Sequence, residues 1–94
     1  MIDVIRKTCA ANAQETFKFT ASSVAFRVKN FTSDKIYVCL GKTWNEAQSV
    51  RINSNMAETL VLNPDPARCM TRGTADTVIV KAVSAGEVEV MRDD

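Results

Sequence analysis

Ninety-four residues with 46% hydrophobic and 24% charged content describe one small globular domain and exclude a wholly disordered or fibrous chain. Twelve basic and 11 acidic residues leave a net charge of +1, without the overall basic excess of a dedicated nucleic-acid binder. Histidine is absent, which removes the usual general base and the Ser-His and Cys-His nucleophile pairs.

Along the chain, apolar residues recur with period two. Met1 to Lys7 carries a charge at Asp3 and no apolar stretch of the secretory kind, so no leader is expected and a first short strand is placed around Ile2 to Lys7. Phe17 and Phe19 flank Lys18. Val24, Phe26 and Val28 alternate with Ala25, Arg27 and Lys29, and Ile36, Val38 and Leu40 alternate with Tyr37 and Cys39. Val50 and Ile52 flank Arg51. Leu60 and Leu62 share a parity with Glu58, which predicts a strand only partly buried at its start. Val78 and Val80 alternate with Ile79 and Lys81, and Val88 and Val90 with Glu87 and Glu89. Each set puts hydrophobes on one face of a pleated strand, as half-buried antiparallel sheets require. Phe17, Phe19, Phe26 and Phe31 are the aromatic residues expected in the interior.

The breaks carry turn chemistry. Thr32-Ser33-Asp34-Lys35 and Asn53-Ser54-Asn55 are polar connections. Gly41 to Ala47 is a longer loop with the only tryptophan, Trp44. Asn63-Pro64-Asp65-Pro66 opens the longest gap, to about Asp76; its prolines exclude a central strand, and its length suits a crossover between sheets. Ser84-Ala85-Gly86 suits a three-residue hairpin with glycine in the left-handed bulge position. About eight short strands predict a single-domain, all-β antiparallel sandwich, jelly-roll or immunoglobulin-like, with residues 1–14 as an N-terminal arm or edge strand.

Cys9, Cys39 and Cys69 are odd in number and form no C-x-x-C pair, so neither a disulfide framework nor a zinc site is expected. Cys9 and Cys69 fall in predicted loops and Cys39 in a strand. Phosphate-cradling glycine loops, nucleophile elbows and calcium loops are missing too. Glu87 and Glu89 share a strand face that reads as solvated, and the sequon Asn30-Phe31-Thr32 reads as coincidental. No catalytic residue, metal or cofactor is expected.

Binding surfaces are the remaining candidates. Lys18, Arg27 and Lys29 point outward from two strands expected to form a hairpin, which would gather their charges on one sheet face. Arg68, Met70 and Arg72, in the long connection, are residue types enriched at protein interfaces. Trp44 with Tyr37 is a candidate aromatic platform for a sugar ring or a peptide. Residues 1–52 carry 8 Lys/Arg against 4 Asp/Glu (+4), and residues 53–94 carry 4 against 7 (−3). Opposed signs of this kind favour head-to-tail contacts between copies unless strands from the two halves interleave.

The stretch Val24-Ala25-Phe26-Arg27-Val28-Lys29-Asn30-Phe31-Thr32, followed by Ile36-Tyr37-Val38 and Gly41, resembles short proteins encoded among the structural genes of tailed bacteriophages and prophages. Thr77-Val78-Ile79-Val80-Lys81 with Gly86-Glu87-Val88-Glu89-Val90 resembles their close. The resemblance implies a virion component such as a head decoration, head-fibre or neck and tail accessory protein, made in the bacterial cytoplasm. Its partners would be copies of itself or capsid and tail proteins, with no specific nucleic acid and no membrane. The segment before Glu15 and the loop from Asn63 to Asp76 would dock. No residue roles carry over with it. The alternative is a carbohydrate- or peptide-binding module, with a glycan as partner.

Overall fold

The computed structural model describes residues 3–61 and 75–93, with the main chain of 64–65 and 71–72 between them. In chain order the strands are β1 (Val4–Cys9), β2 (Gln14–Ser23), β3 (Ala25–Asn30), β4 (Ile36–Leu40), β5 (Val50–Ile52), β6 (Ala57–Val61), β7 (Pro64–Asp65), β8 (Thr71–Arg72), β9 (Ala75–Ala82) and β10 (Gly86–Arg92). Eight of them form two four-stranded antiparallel sheets, ordered β1-β10-β3-β6 and β2-β9-β4-β5, while β7 and β8 pair in a small separate ribbon. The chain is therefore an antiparallel β-sandwich. Counting only those eight strands, the sheets read 1-8-3-6 and 2-7-4-5. That is the strand order of a jelly roll rather than of an immunoglobulin sandwich.

Period-two alternation fills the space between the sheets as expected. Phe17, Phe26, Val28, Ile36, Val38, Val78, Val80, Val88 and Val90 are fully buried. Phe19 packs on Phe26 from the opposite sheet, ring centres 5.4 Å apart and planes tilted by 43°. Cys9 also belongs to this core, closing β1 rather than lying in a loop. Phe31 does not join it. The chain leaves β3 at Asn30, and Asn30 and Thr32 turn inward while Phe31 turns out, half exposed, over the Arg6 guanidinium at 5.6 Å.

Every connection between successive sandwich strands passes from one sheet to the other except β4 to β5. Ser84-Ala85-Gly86 is thus not a hairpin, because β9 and β10 lie in different layers. Sheets stack about 10 Å apart and an extended residue spans about 3.3 Å, so three residues suffice to bridge the layers. Nor is Gly86 in the left-handed region. Glycine is needed there for room, because a Cβ would sit 3.0 Å from both Cα and Cγ2 of Thr32. The crossing from β2 to β3 is tighter still: Ser23 Oγ accepts from the Ala25 amide (3.2 Å) and donates to its carbonyl (2.8 Å) around Val24. The long connection after β6 does cross between the sheets.

A buried polar cluster fixes the β3–β4 crossing. Asn30 Nδ2 donates to the carbonyls of Asp34 (2.8 Å) and Ile52 (3.1 Å), and its Oδ1 accepts from Thr32 N (2.9 Å) and Thr32 Oγ1 (2.7 Å). Ser54 Oγ adds a bond to the Thr32 carbonyl at 2.6 Å. The cluster pins the last residue of the three-residue strand β5 to the end of β3. Both amide protons of Asn30 are engaged and the side chain is buried, so the folded chain presents no acceptor at the sequon.

Candidate functional site

The flank where β5 and β6 form the outer edges of the two sheets holds a cleft of about 680 Å³. Val38, Leu40 and Val50 line it from one sheet and Leu60 and Val61 from the other, and Trp44 joins the lining from the β4–β5 loop. The loop between β4 and β5 shapes it from local chemistry. Gly41 opens the loop at φ 117°, a conformation that a side chain resists. Asn45 caps the one-turn 3-10 segment Glu46–Gln48 by accepting from Ala47 N at 3.2 Å, and Ser49 Oγ donates to the Glu46 carbonyl at 2.8 Å. Trp44 Nε1 donates to Glu46 Oε2 at 2.6 Å, which fixes the ring while the residue stays partly exposed. The floor is apolar and the rim polar. Such a surface can take an extended chain or a ring.

Tyr37 does not share this cleft. It lies on the outer face of its sheet, in register with Arg51 and Lys81, while its neighbour Val38 points in. The structure brings Trp44 to the cleft and leaves Tyr37 outside its lining.

The three cations Lys18, Arg27 and Lys29 are not gathered either. Their strands, β2 and β3, belong to different sheets, so the expected hairpin does not exist and the charges face opposite sides of the sandwich. Lys18 pairs with Asp76 at 3.2 Å. The Thr77 hydroxyl, then Lys18, hold the Asp76 carboxyl below its ordinary range. Lys29 lies 3.8 Å from Glu89, which also takes Arg6 at 2.6 Å, making a cross-strand row Arg6–Glu89–Lys29. Glu89 is therefore not solvated: its side chain is 12% exposed, and the Arg6 hydrogen bond holds its carboxyl below the usual range against the opposing effect of burial. Arg27 is exposed between Met91 and Thr59. Arg68 and Met70 lie outside the described residues; the Arg72 backbone pairs with Pro64 in the β7–β8 ribbon, and its side chain lies outside them too.

Two edge residues escaped the sequence reading as functional candidates. In β1, Ile5, Lys7 and Cys9 share the inward face, so Lys7 enters the flank between the sheets. Its ammonium escapes sideways to the Thr16 carbonyl on β2, passing 5.3 Å from the Phe17 ring centre. At the opposite edge of the same sheet, Glu58 is in register with buried Val28, hence on the inward face, yet it is exposed. A charge at a core-parity position of a strand is the signal for both, and only Glu58 was noted by parity.

Among the described residues no group of three or more His, Cys, Asp or Glu side chains is placed to hold a metal ion, and no helix is long and apolar enough to cross a membrane. Comparison with known protein families, characterised proteins and solved structures finds no match.

Proposed function

We propose that this chain is a non-catalytic structural protein that acts by docking its sandwich edges on other protein subunits, and that its setting is a tailed-phage particle. The observation that carries the docking half is the open β5–β6 flank. Val61 (43%) and Val50 (39%) are exposed in the lining of the cleft, and Met56 (52%) is exposed just before β6, where a self-contained domain would bury or charge them. The particle half rests on the resemblance of the segments 24–41 and 77–90 to phage structural proteins. Jelly rolls build capsid and lectin domains alike, so the fold is compatible with this setting without selecting it.

The test is co-sedimentation of the purified chain with the structural proteins encoded beside it, together with its mass in solution. Saturable binding or a stable homo-oligomer is expected, weakened by Val61→Asp in the flank. A strict monomer with no affinity for any of them refutes the reading. One observation favours a second reading, the carbohydrate- or peptide-binding module: Trp44 stands at a cleft with a polar rim. A glycan and peptide panel followed by tryptophan fluorescence decides it, since specific quenching lost in Trp44→Ala would favour that module.

A further inference from the structure

We infer that the partner of the open flank is a second copy of this chain, whose β1 edge adds to β6 antiparallel and extends the β1-β10-β3-β6 sheet head to tail. This rests on the docking function proposed above and names its occupant.

Strand direction permits it. Three successive antiparallel pairings run from β1 to β6, so these two edges point in opposite directions. A neighbour placed alongside without inversion therefore brings its β1 antiparallel to β6, continuing the alternation of the sheet.

The side chains select one register. Outward positions are Val4, Arg6 and Thr8 on β1 and Ala57, Thr59 and Val61 on β6, from their pairing with Met91, Glu89 and Glu87 and with Lys29, Arg27 and Ala25. Faces match only in registers two residues apart. In one of these, Val4 meets Val61, Ile5 meets Leu60 and Lys7 meets Glu58. The first pair joins two of the exposed hydrophobes, at 50% and 43%. The second pair joins two half-buried residues and sets Ile5 against a wall of the cleft. The third joins Lys7 and Glu58, the inward-facing charges of the two edge strands, which have opposite sign. A shift of two residues either way sets Glu58 against Ile5 or Cys9 and breaks all three pairs at once.

The charge pattern of the sheet runs the same way. In sheet order, β1 carries Arg6 and Lys7 (+2), β10 carries Glu87, Glu89 and Arg92 (−1), β3 carries Arg27 and Lys29 (+2), and β6 carries Glu58 (−1). A β6–β1 junction preserves the alternation, whereas β1 on β1 or β6 on β6 joins like charges. Inward-pointing edge charges normally discourage strand addition. Here they discourage it for like edges and admit the unlike one, which is how specificity is built from repulsion. Lys7 keeps protons free for this, since its ammonium has three and the Thr16 carbonyl takes one.

The experiment is sedimentation of the full chain over a concentration series, as wild type, as Lys7→Glu, as Glu58→Lys, and as an equimolar mixture of the two variants. A heterologous contact leaves a free edge at each end, so wild-type mass is expected to rise past the dimer, toward a ring or an open filament. Each reversal replaces an attractive cross-strand pair with a repulsive one and is expected to lower the association constant about tenfold. The mixture presents only unlike edges to each other and is expected to reassemble in alternation. Glu58→Lys disturbs no hydrogen bond or ion pair with another described residue, so its own loss of association, or its failure to show one, decides the matter even where Lys7→Glu folds poorly. Oligomers indifferent to both reversals, or a mixture that stays dissociated while wild type assembles, overturn the edge. A wild-type monomer that still binds a structural partner overturns it and leaves the docking function standing; a monomer that binds none removes both.

Discussion

Asn30→Ala tests whether the jelly roll depends on the polar cluster at its β3–β4 crossing. The substitution removes four hydrogen bonds, two donated and two accepted. Part of the loss repairs itself, because Thr32 Oγ1 already lies 2.7 Å from the Asp34 carbonyl and can donate there instead. The amide of Thr32 and the side-chain bond to the Ile52 carbonyl have no such substitute. At about 1–3 kcal/mol for each buried group left unpaired, the expected cost is about 3 kcal/mol. A chain of 94 residues has about 5–14 kcal/mol in total, so the loss is a large fraction. Urea unfolding followed in the far ultraviolet measures it, with β5 expected to lose amide-exchange protection first. Asn30→Asp supplies a pH control. Its carboxylate would face two carbonyl oxygens in a buried site, so the folded pKa rises above the unfolded value near 3.9. The variant is then closest to wild type below about pH 4 and falls behind by about 1.4 kcal/mol per pH unit until the folded pKa is passed. A cost below about 1 kcal/mol for Asn30→Ala, or no such pH trend for Asn30→Asp, refutes the assignment of this cluster as the pin of the crossing.

Gly86→Ala should lose about 1–3 kcal/mol, because the added methyl meets the Thr32 backbone and side chain at 3.0 Å; thermal unfolding reads it, and an unchanged midpoint would show that the crossing can give way. The Glu89 carboxyl, held low by Arg6, contributes stability that is full above its unfolded pKa and is lost as pH falls through the lower folded value, so urea midpoints at acid pH should drop less steeply in Glu89→Gln. Burial pushes the Cys9 thiol up to about 11, and Cys39 is 2% exposed, so iodoacetamide should label both only as fast as the domain opens, as mass spectrometry of digests would show.

Parity in the sequence was enough to name the core, because in a strand it decides which face each residue takes. It said nothing about which sheet each strand joins. Phe17 and Phe26 read alike, yet they enter the core from opposite layers. A short polar connection serves equally as a hairpin turn or as an arch, and for that reason the β9–β10 link and the Lys18–Arg27–Lys29 face were misplaced. Parity also mispriced residues at the ends and flanks. Phe31 lies past the last rung of β3, Val50 faces an open cleft, and Ile79 is buried at 5% on an outward face beside Cys39, which lies near the β4–β5 loop. The cleft itself was legible only at Trp44, since its other walls come from strands that adjoin through topology.

The charge asymmetry between the halves of the chain takes its meaning from that same topology. Jelly-roll winding interleaves early and late strands, so the +4 and −3 halves do not form two opposed faces. One sheet nevertheless keeps the sign difference, because it alternates strands from the two halves: β1 and β3 from the basic one, β10 and β6 from the acidic one. An even number of alternating strands must end on opposite signs. The edges of this sheet are therefore complementary to each other and repulsive to themselves, whatever partner they meet. Sequence asymmetry that would be neutralised in a hairpin meander is converted by this winding into a polarity along the sheet, and a polar sheet with two unlike ends favours growth in one direction over pairing about a two-fold axis.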